Sequence, residues 1–159
     1  MNKTSLLLGS NIGNCQLKIL QAINHIEKKI GKVIRQSHLY QTAAWGKTNQ
    51  PDFLNQVLIV ETKLDAEKIM QLILIIEEKL GRIRTVKNAA RTIDIDILFF
   101  NKEIINKKKL IIPHPEIQNR RFVLIPLNEL SPNLKHPILQ KNIHQLLKIC
   151  PDKLDVKKF

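Results

Sequence analysis

The stretch RTIDIDILFF, residues 91–100, decides the fold and raises the first chemical question. Two aspartates interrupt a run of Ile, Leu and Phe of the kind that forms a buried strand. Successive side chains of a strand point to opposite faces, so Thr92, Asp94 and Asp96 share one face and Ile93, Ile95 and Ile97 the other. The two carboxylates then stand roughly 7 Å apart, two residues along one strand. Like charges so placed repel unless a cation or water lies between them. Two readings fit. One is a half-exposed antiparallel strand with a polar face. The other is a magnesium site, because Mg²⁺ takes hard oxygen ligands, usually one or two carboxylates completed by substrate phosphates.

The apolar pattern orders the rest of the chain outward from this strand. Ser5 to Leu8 reads as a short buried strand ended by Gly9-Ser10-Asn11. Ile19, Ile23, Ile26 and Ile30 recur at helical spacing, with Gly31 as the stop. Val33 to Tyr40 and Phe53 to Glu61 read as strands joined by the loop QTAAWGKTNQPD. Asp65 is an N-cap for a helix running through Leu80, and Gly81 ends it. The order β-α-β-β-α-β is that of an α+β, ferredoxin-like core: a four-stranded antiparallel sheet with both helices on one face. Residues 5–100 form this core and 101–159 an extension within one domain spanning 1–159. The extension holds a strand pair around EIINKKKLIIPHP and helical segments near Arg121 to Leu130 and Asn142 to Lys148. It is expected to cover the sheet or extend it.

The 159 residues suffice for one domain with a real core. The longest apolar run, Leu72 to Ile76, is far too short to span a membrane, and no membrane partner is expected. Lys3 precedes only Leu6-Leu7-Leu8 before Gly9, which is no secretory segment. Cys15 and Cys150 fit neither a disulfide framework nor a metal-ligand spacing. A reduced, cytoplasmic protein is expected.

The net charge of +12 points to anionic partners. Of 26 basic residues only six are arginine, and five of those fall in two places: Arg82, Arg84 and Arg91, then Arg120 and Arg121. Lys supplies general surface charge, whereas the planar Arg fork grips phosphate oxygens bidentately. In GRIRTVKNAARTIDID the first three arginines directly precede the aspartates, in a connection of about ten residues that is long for its kind. Phosphoryl transfer needs metal ligands on a rigid element and fixed cations beside them, and this segment supplies both. Arg82 and Arg84 also fit a plain helix end, where cations are mildly favourable. The chain has no GxxxxGK[ST] loop and no GxGxxG, which disfavours a P-loop or Rossmann protein.

The second basic pair lies in PHPEIQNRRF, residues 113–122, where two prolines stiffen the backbone around His114. His114 fits an exposed loop position or a donor to phosphate beside Arg120. Phe53 and Phe122 fit the core, or two rings from distant segments that sandwich a flat heterocycle. Asn55 lies on the same strand face as Phe53 and offers an amide donor and acceptor to a ring edge.

With GSN at the start, QPDFLN in the middle, GRIR before RTIDIDIL and PHP after it, the chain resembles the 6-hydroxymethyl-7,8-dihydropterin pyrophosphokinase family, from Ser5 to about Pro132. The resemblance implies a monomeric folate-pathway enzyme that transfers diphosphate from ATP to the pterin. It implies that Asp94 and Asp96 hold two Mg²⁺ ions bound with ATP, and that Arg82 and Arg91 close over the transferring group. Arg84, His114 and Arg120 match nucleotide-contacting positions. Phe53 and Phe122 match the rings around the pterin, Asn55 a residue bonded to it, and Thr42 and Trp45 the loop lining its pocket. Two departures stand out: Asn88-Ala89-Ala90 replaces the family's common Gly-Pro, often preceded by Trp, and Leu74 stands where Gln is frequent.

Two competitors remain. A basic ferredoxin-like domain also fits an RNA binder, but aspartates on the last core strand repel phosphates and no K/R-G-F-G-F-V-type motif occurs. No nucleic-acid partner is therefore expected. A degenerate relative without activity is the other.

Overall fold

The computed structural model describes residues 1–43, 51–81 and 92–159. The elements follow the chain as β1 (Asn2–Ser10), α1 (Cys15–Lys29), β2 (Lys32–Gln36), β3 (Tyr40–Thr42), β4 (Phe53–Thr62), α2 (Ala66–Lys79) and β5 (Asp94–Phe100). Then come β6 (Ile105–Lys107), β7 (Leu110–Ile112), a 3-10 turn at Ile117–Asn119, α3 (Arg121–Leu130), α4 (Ile143–Ile149) and β8 (Val156–Lys158). The main sheet is antiparallel in the order β5-β1-β4-β3-β8, with β2 also paired to β4. Its core strands β5-β1-β4-β2 with α1 and α2 make the ferredoxin-like arrangement.

Side-chain chemistry begins both core helices, at Asp65 where the sequence reading places a cap and at Asn14 where it places none. The Asn14 side chain accepts from the Leu17 N–H, and Asp65 from the Lys68 N–H at 2.8 Å. Gly81 follows α2 with φ of +91°, a left-handed conformation that suits glycine. Gly31 serves a different purpose, since a Cβ there would lie 2.1 Å from the Glu61 carbonyl oxygen. It lets the end of α1 pass against β4.

The sheet carries a core on each face. Leu6, Leu8, Leu58, Val60, Ile95 and Ile97 pack against α1 and α2 through Ile19, Ile26, Ile69, Ile73 and Ile76. On the other face, Leu7, Val57 and Ile59 meet α3 and α4 through Val123, Leu124, Leu127, Ile143 and Leu146. A bulge in β5 leaves Leu98 without a partner in the ladder to β1. It therefore turns Leu98 and Phe99 both into this second core, while Phe100 returns to the first.

The structure differs from the sequence expectation in three places. The single strand expected over Val33 to Tyr40 is two strands, because Ile34 bulges and the Ser37 hydroxyl, not a backbone carbonyl, takes the Val57 N–H at 3.0 Å. The four-stranded sheet is consequently longer along β4, where β2 and β3 share one edge. The expected strand pair forms as β6–β7 but is a separate ribbon; β8, which no pattern announces, extends the main sheet.

His136 sits in the second core, edge-on to Phe99 at 5.6 Å, with Nδ1 accepting the N–H groups of Ile138 and Leu139. Burial lowers its pKa from the ordinary value. A histidine held neutral in the fold contributes fully above the unfolded pKa of about 6.5 and loses that contribution as pH falls through it toward the lowered folded value. Urea unfolding at pH 7.5 and 5.5 should show wild-type stability falling on acidification. His136→Asn, which keeps an acceptor without the titration, should show a smaller fall.

Candidate active site

Residues directly opposite in an antiparallel ladder share a face, and the register of three strands assembles the site this way. Asp94 pairs with Gly9, Gly9 with Asn55, and Asn55 with Tyr40. One step along, Phe53 pairs with Thr42; on the other side, Asp96 pairs with Leu7 and Leu7 with Val57. Leu7 and Val57 belong to the core under α3, so the two aspartates, Asn55 and Phe53 continue that same face to where the apolar cover ends. Asp94 and Asp96 are half-buried while Ile95 and Ile97 are buried at 3% exposure each, as the alternation requires.

Gly9 makes the row possible. A Cβ there would come within 2.7 Å of the Asn55 Nδ2 and 3.8 Å of the Phe53 ring. The Asn55 side chain fills that space, 4% exposed, and donates to the Leu8 carbonyl at 3.4 Å. Its Oδ1 is buried with no donor among the described residues. An amide oxygen left so costs about 1–3 kcal/mol, which a ligand donor would recover.

β5 is the edge of the sheet, and two of its outer backbone groups are closed by other elements. The Glu77 carboxylate, on α2 and only 2% exposed, accepts the Ile95 N–H at 2.7 Å. This fixes the backbone between the two aspartates. Farther along, the His114 N–H donates to the Leu98 carbonyl at 2.9 Å.

His114 follows a cis Ile112–Pro113 peptide. Its Nδ1 accepts the Glu116 N–H at 3.1 Å, which leaves the proton on Nε2. Burial lowers its pKa and the Arg120 charge lowers it further, against the opposing pull of Asp94 and Glu116. The ring is therefore a neutral donor beside both an arginine and the first aspartate. The Arg120 guanidinium lies over the Phe122 ring, 5.9 Å from its centroid. His114, Arg120 and Asp94 are thus brought together, with Phe122 beside them.

Thr42 is buried, and its hydroxyl donates to the Asp155 carbonyl at 3.1 Å. Its strand is also tied to α3, where the Tyr40 hydroxyl donates to Glu129 at 2.6 Å and His38 contacts the same carboxylate at 2.8 Å. Burial chiefly, and then Glu129, push the Tyr40 phenol far above its ordinary range. Burial opposes ionisation of Glu129, yet the bonds from Tyr40 and His38 outweigh it and hold that pKa low.

Arg82, Arg84, Arg91, Trp45 and Asn88-Ala89-Ala90 lie outside the described residues. Leu74, in place of the family's frequent Gln, is an exposed residue of α2. Among the described residues no cluster of three or more His, Cys, Asp or Glu could hold a metal. Two hard carboxylates on one half-buried face fit Mg²⁺, whose remaining ligands are commonly water and substrate phosphate. Sequence reasoning passed over two contributors, Gly9 as a cradle and Glu77 as an edge anchor. A buried-strand glycine and an acidic residue on the apolar stripe of α2 were the available signals.

The sequence model for 7,8-dihydro-6-hydroxymethylpterin-pyrophosphokinase matches residues 5–132. The chain belongs to that family. It is thereby an enzyme, a diphosphate-transferring kinase of folate biosynthesis. A protein of Aquifex aeolicus named 2-amino-4-hydroxy-6-hydroxymethyldihydropteridine pyrophosphokinase is 39% identical over 138 residues, covering 87% of this chain and 86% of that one. The Pneumocystis carinii folic acid synthesis protein fol1 is 42% identical over 131 residues, and there the match spans only 18% of the longer fungal protein. Among solved structures, wild-type Plasmodium falciparum HPPK-DHPS with STZ-DHP superposes with a TM-score of 0.76 at 21% identity, over 92% of this chain and 43% of that one. This last likeness supports the fold.

In this pyrophosphokinase, Glu77→Ala strips the Ile95 N–H of its acceptor, and that bond alone should cost about 1–3 kcal/mol. Urea unfolding reads the loss. Turnover should fall further than the folded fraction, because the aspartate-bearing backbone is released.

Proposed function

We propose that the enzyme transfers the diphosphate of ATP to the hydroxymethyl group of 6-hydroxymethyl-7,8-dihydropterin, with release of AMP. The observation that carries this reading is the single face on which Asp94 and Asp96 stand beside Asn55, with an unanswered amide oxygen across Gly9. A phosphate-and-metal end and a heterocycle end are what a bisubstrate transfer requires.

Asp94 and Asp96 would hold magnesium, as two ions bound with ATP. When bound, the metal offsets phosphate charge and makes the attacking hydroxyl more acidic. Arg120 and neutral His114 donate to the nucleotide phosphates, and Arg84 joins them. Arg82 and Arg91 add the cations needed where charge spreads during transfer. Phe53 and Phe122 pack on the two faces of the pterin, Asn55 pairs with its edge, and Thr42 and Trp45 line the pocket. The Asn55 Oδ1 accepts from a ring N–H or amino group, which accounts for its having no donor among the described residues. The hydroxymethyl oxygen attacks the β-phosphorus in line and gives up its proton to water, and the bond from that phosphorus to the AMP oxygen breaks. The residues 1–159 act as one catalytic domain, a cytoplasmic monomer.

Incubation with ATP, Mg²⁺ and the pterin should give AMP and pterin diphosphate one for one, and neither product with EDTA. ADP in place of AMP would overturn the assignment. Asp94→Ala and Asp96→Ala should each lower turnover by about a hundred- to a thousandfold, as loss of a charge-stabilising group in the transition state does. Gly9→Ala should raise the pterin KM more than the ATP KM, because its Cβ displaces the Asn55 amide from which it would lie 2.7 Å.

A further inference from the structure

The family match ends at residue 132, yet the chain's last ten residues reach both halves of the site. The helix α3 begins without a side-chain cap of its own: Arg120 stands at the capping position and forms no such bond. Asp152, only 8% exposed, supplies it from outside. Its Oδ2 accepts the Arg121 N–H at 2.9 Å, and its Oδ1 accepts the Leu154 N–H at 2.9 Å. A carboxylate at this end of a helix satisfies a donor that would otherwise lack one and meets the positive end of the dipole.

From Asp152 the chain continues into β8, which pairs with β3: Val156 lies opposite Thr42, and Lys158 opposite Tyr40. The Asp155 carbonyl accepts the Thr42 hydroxyl, and the Phe159 N–H reaches the Leu39 carbonyl at 2.9 Å. One short segment therefore ties the start of α3, with Arg120 and Phe122, to the strand that carries Thr42. Both ends bear residues assigned to substrate, and the two are otherwise far apart in sequence.

We infer that Asp152 is a positioning residue of the pyrophosphokinase site. It fixes the first turn of α3 so that Phe122 and Arg120 meet their ligands, and it anchors β8 against the Thr42 strand. The inference rests on the proposed roles of Phe122 and Arg120, and the experiment separates the two. Loss of a helix cap of this kind is expected to weaken pterin binding about tenfold in Asp152→Ala. Asp152→Asn keeps one acceptor of the two and should lose about threefold. A purely structural role would lower the amount of active enzyme, and so apparent kcat, with the pterin KM unmoved.

The measurement is KM and kcat for pterin and for ATP, beside urea unfolding, for Asp152→Ala, Asp152→Asn, Phe122→Ala and Asp155→Ala. Asp155→Ala should match wild type, because its carbonyl, not its exposed side chain, holds Thr42. A graded rise in pterin KM from wild type through Asn to Ala supports the inference. Wild-type KM in a folded Asp152→Ala, with pterin binding lost in Phe122→Ala, overturns it and leaves the site reading intact. Where the alanine variant does not fold, Asp152→Asn decides, and an unchanged KM there overturns the inference as well. Unchanged pterin binding in Phe122→Ala overturns the site reading itself.

Discussion

Everything in this site depends on the register of β1 between its two neighbours. The middle of β1 is covered on both faces, so its side chains there must be apolar in both directions, and Leu6, Leu7 and Leu8 are. A slip of one residue against β4 or β5 would send each apolar set to the wrong face, which makes the pairing highly specified. The same pairing sets Asp94 and Asn55 on either side of Gly9. The energetics of the core thus fix the geometry of the polar end. No polar contact at that end is needed to choose the register.

The edge position of β5 is the complementary requirement. Carboxylates proposed to hold a metal need an open side, and an edge strand provides one, but it leaves backbone donors and acceptors unmatched. Glu77 takes one from α2, and the segment carrying His114 takes another after the strand. The second of these contacts also delivers the imidazole to the site. The closure of the sheet edge and the recruitment of His114 are one event, which is why a residue 18 positions beyond Asp96 and 20 beyond Asp94 ends up beside them.

Much of this was legible from residues alone, and the failures have specific causes. Alternation in IDIDIL placed the aspartates on one face because period two survives wherever one side is buried. Helix caps at Asp65 and the stop at Gly81 were readable because capping is local chemistry. The break between β2 and β3 was not, since it depends on the Ser37 hydroxyl replacing a carbonyl in a partner 20 residues away. β8 has only three residues, with no apolar rhythm, and exists because β3 offers it an edge. Gly9 looked like part of a turn; its role as a cradle is visible only once Asn55 lies beside it. The arginines before β5 and Trp45 lie outside the described residues.

The distribution of charge makes the final point about the chemistry. A chain with net charge +12 attracts an anionic nucleotide over long range, and lysine is sufficient for that. At the site, however, the nearest groups on β5 are carboxylates, which alone would repel phosphate. His114 is kept neutral there by burial and by Arg120, so it adds a directed hydrogen bond without adding charge. In the proposed site, cation density near the phosphates comes from arginine and from a metal that Asp94 and Asp96 would hold. A site with fixed lysines in place of those aspartates would bind ATP in the resting state too. Carboxylates that recruit a cation with the nucleotide would instead deliver the positive charge only when substrate arrives, which would favour transfer over mere retention.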